Sequence, residues 1–208
     1  MIEILSAYEV TKEDIAQALE LDRISYDEVY YLDVETCLAY HKKNPLIYIM
    51  LKDTSRNRVV GYVNFSPVTK ETFDLILSGK VIDTVIQDKD IEAYTNNHPY
   101  WGYMSSIVVH PDYRQKGYAK IMLRKLSDLV CELAEKCGIF FHGIVADAVS
   151  DAGYHLLYNM GLEQMQASAH DTRIMYVNPF SEHVRESCYN KAILSTYKQE
   201  VQKNGFSI

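Results

Sequence analysis

Apolar and polar positions follow two different periods along this chain, and both appear in succession between residues 106 and 138. Ile107, Val108 and Val109 form a short β-branched run, the pattern of a buried strand. His110-Pro111-Asp112-Tyr113 breaks it, because proline fixes its own φ and offers no N–H. Ala119, Met122, Leu123, Leu126, Leu129, Val130 and Leu133 then recur at three- and four-residue intervals, one face of an amphipathic helix. Gly138 stands where a C-cap belongs.

The rest of the chain alternates between the same two patterns. Residues 2–8 read as a first strand. Thr11 caps a helix through Ile15, Ala18 and Leu19, with Asp14 completing an imperfect capping box. Asp33 caps a second helix over 35–43, stopped by Pro45. Residues 46–52 and 59–65 form a hairpin. Thr69 caps a short helix through Phe73, Leu75 and Ile76 that ends at Gly79. The run 81–86 is strand-like, Asp88, Asp90, Ile91 and Glu92 make an acidic turn, and 95–99 is a polar loop. A strand over 139–146, a helix over 150–160, a turn at Gly161 and a hairpin of 162–168 with 173–177 follow. Val184, Cys188, Ala192 and Tyr197 outline a weakly amphipathic helix beyond the hairpin.

Composition narrows the class. With 208 residues, 48% of them apolar, the chain can build one domain with a real core. The net charge of −7 argues against a nucleic-acid partner and is compatible with cationic ones. The first ten residues lack a basic stretch and a long apolar core, and no apolar run reaches membrane length. Cys37, Cys131, Cys137 and Cys188 fit neither a CxxC site nor a disulfide framework, so reduced thiols and a cytoplasmic location are expected. The histidines form no ligand set, and no metal is expected.

Between strand and helix lies Arg114-Gln115-Lys116-Gly117-Tyr118-Ala119. A helix start leaves N–H groups unpaired and partly positive. Gly117 lets a ligand reach the backbone, Ala119 adds little bulk, and Arg114, Lys116 and Lys120 add charge. That combination suits a pyrophosphate. The same spacing also fits a plain strand-to-helix turn with solvated basic residues.

Arg-x-x-Gly-x-Ala behind a Val-Val-His-Pro strand end resembles the acetyl-CoA signature of the GNAT superfamily of N-acetyltransferases. A later stretch, Asp151-Ala-Gly-Tyr-His-Leu-Leu-Tyr-Asn-Met-Gly-Leu-Glu163, resembles the family's second signature, with Ser150 or Asp151 in place of the usual Asn and Leu162 in place of Phe. The resemblance implies an α/β fold with a mixed, mostly antiparallel sheet of six or seven strands flanked by helices. It implies a domain over 1–180, an insertion at 66–100, and a helical extension over 181–208 that packs on the domain or on a second subunit as a homodimer. The insertion is either a lid that selects the acceptor or a peripheral elaboration.

Acetyl-CoA as co-substrate and a small-molecule or peptide amine as acceptor follow from the same resemblance. So does a cofactor site of Ile107, Val108, Val109, Arg114, Gln115, Lys116, Gly117, Tyr118, Ala119 and Ser150. Backbone N–H groups near Val108 and Val109 are expected to polarise the thioester carbonyl. A tyrosine on the helix after the fifth strand is expected to protonate the departing thiolate. Matching the Leu-Tyr pair selects Tyr158, with Tyr154 in reserve, whereas counting back from Gly161 puts Leu157 at that place. The family's strand-borne Glu is missing from residues 103–106, which leaves Asp83, Glu92, His142, Asp147 or a water chain to take the amine's proton. Asp83, Asp88, Asp90 and Glu92 are expected to draw a cationic acceptor. Tyr26, Tyr30 and Tyr31 either line the acceptor pocket or pack on the core. Without a base, the alternative is a non-catalytic acyl-CoA-binding module.

Overall fold

Thr11 starts the first helix as the sequence requires. Its backbone N–H donates to Asp14 Oδ2 (3.0 Å), and Asp14 N–H donates to Thr11 Oγ1 (3.2 Å). Asp14 is buried and also pairs with Lys52 Nζ at 2.7 Å, which explains why the shorter acid replaces Glu in the box. In this computed structural model, which describes residues 1–204, the elements run β1 (Ile2–Ser6), α1 (Lys12–Ser25), α2 (Val34–Lys43), β2 (Tyr48–Asp53), β3 (Arg58–Val68), α3 (Lys70–Leu77), β4 (Pro99–Val109), α4 (Tyr118–Cys137), β5 (Phe140–Ala148), α5 (Asp151–Asn159), β6 (Glu163–Ala167), β7 (Arg173–Val177) and α6 (Lys191–Asn204).

The strands form one sheet in the order β1-β2-β3-β4-β5-β7-β6. Every neighbouring pair is antiparallel except β4 with β5, which α4 connects as a crossover. This is the mixed, mostly antiparallel seven-stranded sheet that the sequence leads one to expect. One core packs Met122, Leu123, Leu126, Val130 and Leu133 of α4 onto the sheet, together with Leu157 and Tyr197. The other packs Ile15, Ala18 and Leu21 of α1, Cys37 and Tyr40 of α2, and Phe73 and Ile76 of α3 onto the opposite face. α4 ends at Gly138 in the left-handed region (φ 64°), as its position predicts.

Three expectations need correction. Residues 81–86 are not a strand but carry a 3-10 turn, Asp83–Val85, closed by Val85 N–H to Ile82 O (3.3 Å) and Ile86 N–H to Asp83 O (3.0 Å), which takes their backbone groups from any ladder. Residues 45–47 form a 3-10 turn ahead of β2, because Pro45 follows Asn44, whose side chain caps Leu46 N–H. The helix expected from residue 181 onward starts only at Lys191. Asn190 and Ser187 tie the preceding turns with side-chain-to-backbone bonds, and Cys188 is exposed. Residues 205–208 of that expected extension lie outside the described residues. Among the described residues no helix is long and apolar enough to cross a membrane.

Candidate active site

The site begins where two strands part. β4 and β5 pair from Pro99↔Phe140 to Met104↔Ala146, then β4 continues to Val109 on β3 and β5 to Ala148 on β7 without pairing with each other. On its other side β4 slips one residue against β3: Asn64 faces Ser106 and Phe65 faces Met104, so Ser105 is the bulged residue. Asn64 holds the bulge by accepting from the hydroxyls of Ser66 (3.0 Å) and Ser105 (2.9 Å). The splay opens a cavity of about 510 Å³. Ile107, Val108 and Val109 line one wall and Ala148 and Ser150 the other, with Arg114 and Ala119 also reaching it.

Gln115, Lys116, Gly117 and Tyr118 do not line this cavity but shape the loop beside it. Gln115 (φ 61°) and Gly117 (φ 78°) are both left-handed, which turns successive peptide planes inward to form a nest. Backbone N–H groups from Gln115 through Lys120 meet no acceptor among the described residues; the first helical bond is Ile121 N–H to Gly117 O at 3.2 Å. A Cβ on Gly117 would meet nothing within 4 Å, so glycine is required there for its φ and for open approach, not for packing. Arg114 Nε donates to Val109 O (2.9 Å) and Lys116 Nζ to Asp112 O (2.8 Å). Tyr113 fastens the loop to the β2–β3 turn by donating to Asp53 Oδ2 (2.7 Å). The result is a rigid, positively polarised concavity.

The far end of the cavity is acidic and aromatic. Asp22 from α1, Asp83 from the 3-10 turn and Asp147 from β5 line it with Tyr26, Tyr30 and Tyr103. Tyr62 donates its hydroxyl to Asp22 Oδ1. Burial pushes the Asp22 carboxyl up to about 7. Burial also pushes Asp83 up to about 7, with the charges of Asp22 and Asp147 adding to it. Asp147 is raised too, mainly by burial, with Thr172 and His170 opposing. Oδ1 of Asp83 and Oδ1 of Asp147 are buried and have no hydrogen-bond partner among the described residues. Tyr26 lies beside Ser106 and the Ile107 backbone, and burial raises its hydroxyl pKa, so it stays protonated.

The structure thus gathers Ile107, Val108, Val109, Arg114, Ala119 and Ser150 at one cavity and sets Gln115 to Tyr118 in the nest beside it. It also brings in Asp83 and Asp147 from the expected bases, while Glu92 and His142 do not line the cavity. His142 packs between the rings of Trp101 (6.0 Å) and Phe180 (5.4 Å). Tyr158 and Tyr154 are not brought to the cavity. Ala152, Gly153, Leu156 and Leu157 present the inward face of α5 instead. Tyr158 is 41% exposed, stacks on Tyr154 at 6.0 Å and lies 3.7 Å from the Arg185 guanidinium. One residue of register, about 100° of helix, separates it from the inward position held by Leu157.

Asp88 and Asp90 also lie off the cavity, where they shape a separate 3-10 turn. Asp22 escaped the sequence reading, although a signal existed. It continues the buried face of Ile15 and Ala18 at helical spacing, and an acid at a core position marks a site or a buried partner. Among the described residues no group of three His, Cys, Asp or Glu is placed to hold a metal ion.

Comparison with known proteins gives the same outline. A profile of the acetyltransferase (GNAT) family matches residues 12–149. No curated protein sequence matches the chain. Among solved structures, the NatC complex bound to Gag peptide and CoA aligns with a TM-score of 0.58 at 15% identity, over 85% of this chain and 98% of that one. The mosquito arylalkylamine N-acetyltransferase like 5b aligns with a TM-score of 0.55 at 13% identity, over 86% of this chain and 100% of that one. The PaiA N-acetyltransferase from Thermoplasma acidophilum, in complex with coenzyme A, gives 0.51 at 14% identity, over 86% and 99%. At these identities the likeness is one of fold.

Proposed function

We propose that this chain, which belongs to the GNAT acetyltransferase family, is an N-acetyltransferase that moves an acetyl group from acetyl-CoA to a primary amine of a small molecule or peptide. The observation that carries this reading is the splay of β4 from β5 past Met104, flanked by an amide nest on one side and buried carboxylates on the other. The nest of Arg114 to Ala119 is suited to the CoA pyrophosphate, because its amides from Gln115 onward meet no acceptor among the described residues and stand at the start of α4.

The acetyl thioester then enters the gap between the strands. Backbone N–H groups of β4 after Met104, on the edge that faces away from β3 and no longer pairs with β5, polarise the thioester carbonyl, a role that needs no particular side chain. The amine must be neutral to attack. Asp83 takes its proton: its Oδ1 has no other partner, and its pKa near 7 suits a base working near neutrality. Asp22 is less free, since Tyr62 already holds its Oδ1. CoA leaves as the thiol after protonation by water.

Two measurements test the reading. Calorimetry with CoA compares Gly117→Ala and Gly117→Glu. Both pay about 1–2 kcal/mol for an L side chain in the left-handed region, but only Glu places a negative charge at the nest. Ala is expected to weaken CoA binding and Glu to abolish it; binding by a folded Glu variant equal to that of the parent would remove the pyrophosphate assignment. Thiol release from acetyl-CoA with a broad amine panel tests catalysis. A chain that binds CoA yet releases no thiol with any amine is a binding module, not an enzyme.

A further inference from the structure

The acceptor end of the cavity has an unusual charge inventory. Three carboxylates line it, Asp22, Asp83 and Asp147. The only lysine or arginine lining the cavity among the described residues is Arg114, which sits beside the nest and donates to Val109 O. Two of the carboxylates hold a buried oxygen, Asp83 Oδ1 and Asp147 Oδ1, with no donor among the described residues. A buried acceptor without a donor is costly unless a ligand or water supplies one. The three acids are also too dispersed to chelate one metal ion, so the missing positive charge belongs to a body with length.

A monoamine supplies that charge only until it reacts. Attack requires it to surrender its proton to Asp83, after which Asp147 and Asp22 face one another without a counter-charge. A diamine keeps one ammonium through the whole step. An acceptor with its own carboxylate is repelled, since no cation stands at this end to receive it. The walls suit methylenes and ammonium groups, because Tyr26, Tyr30 and Tyr103 present rings to the cavity. The end is also roofed. The 3-10 turn Glu28–Tyr30 packs on the turn Asp83–Val85, which favours a small molecule over a polypeptide.

We infer that the acceptor is a small aliphatic diamine, with one amine delivered to Asp83 for attack and the second ammonium held at Asp147. The inference rests on the acetyl-transfer reading above and adds the substrate class. In the step, the nitrogen lone pair forms the amide C–N bond and the thioester C–S bond breaks. The ammonium's first proton passes to Asp83 and frees that lone pair, the C–S electron pair stays on sulfur, and the second proton, shed by the nitrogen as the amide forms, is relayed by water to the thiolate. The second nitrogen remains an ammonium on Asp147, whose buried Oδ1 has no donor among the described residues. Asp22, held by Tyr62, adds its charge behind them.

The experiment measures thiol release at saturating acetyl-CoA with three acceptors of equal chain length: butane-1,4-diamine, butylamine and 4-aminobutanoate. The diamine is expected to exceed butylamine in kcat/KM by about tenfold or more, and 4-aminobutanoate to give no turnover. In Asp147→Asn the ratio of diamine to butylamine should collapse toward one, with CoA affinity by calorimetry unchanged. A purely structural role for Asp147 would lower both amines together and leave the ratio intact. Butylamine matching the diamine in the parent, 4-aminobutanoate matching the diamine, or an intact ratio in Asp147→Asn overturns the diamine assignment alone. If the chain binds CoA and no amine of any class is turned over, the acetyl-transfer reading fails and this inference fails with it.

Discussion

Asp83 shows how one side chain couples stability to chemistry. A free carboxyl titrates near 4, and in the folded chain Asp83 titrates at about 7. Between those values the folded state binds more protons than the unfolded state. Stability therefore falls as pH rises through that window, and the full penalty is present above about 7. Asp83→Asn removes the penalty. Its melting temperature should gain on the parent between pH 5 and pH 8, by the equivalent of about 2 kcal/mol. That is roughly half of what the whole shift would give, because the carboxyl borders an open cavity whose water screens it. The same variant should lose acetyl transfer by about 10²–10⁴-fold, as the removal of a general base does. A gap between variant and parent that does not widen from pH 5 to pH 8 would show that Asp83 is not held out of its ordinary range.

At the level of elements, what was legible is what local chemistry decides. Helix α4 was readable because its apolar face repeats over five turns and Gly138 closes it. Helix α1 was readable from Thr11 and Asp14. That cap has a checkable worth: Thr11→Ala should cost about 1 kcal/mol and lower Tm by about 2–4 °C, and an unchanged Tm would mean that Lys52 alone anchors the start of α1. What was not legible depends on distant partners. The bulge at Ser105 exists because β3 and β4 pair out of step around Asn64, and nothing in the local run from Tyr103 to Val109 announces it. The run 81–86 has strand-forming residues, yet it roofs a cavity and buries Ile82 and Ile86 as a turn does. On α5 the pattern fixed the helix but not its rotation, so the choice between Leu157 and Tyr158 needed the packed structure. The nest was foreseeable from Gly117, whereas the left-handed Gln115 beside it was not.

Over the whole molecule, the last helix bears on the site through the strand that forms one wall of it. α6 packs on α4, and its Tyr197 is 1% exposed, with its ring against Phe140 (5.1 Å) and stacked on Phe180 (5.2 Å). The Tyr197 hydroxyl accepts from Phe141 N–H at 3.1 Å. That donor sits where β5 carries an extra residue against β4, since Tyr100 faces Phe141 and Trp101 faces Gly143. The hydroxyl thus satisfies a backbone group that the bulge leaves over, on the strand that runs on to Asp147. We propose that α6 is an integral part of this fold. Tyr197→Phe should cost about 1–3 kcal/mol, because it strands one buried N–H. Tyr197→Ala should cost about 3–5 kcal/mol, because it also leaves a ring-sized cavity between α4 and the sheet. Denaturant unfolding measures both. Parent-like stability in Tyr197→Ala would mean that α6 rests on the domain without supporting it. A loss in Tyr197→Ala with none in Tyr197→Phe would leave packing as the whole of its contribution, and β5 would then need no help from α6 at its bulge.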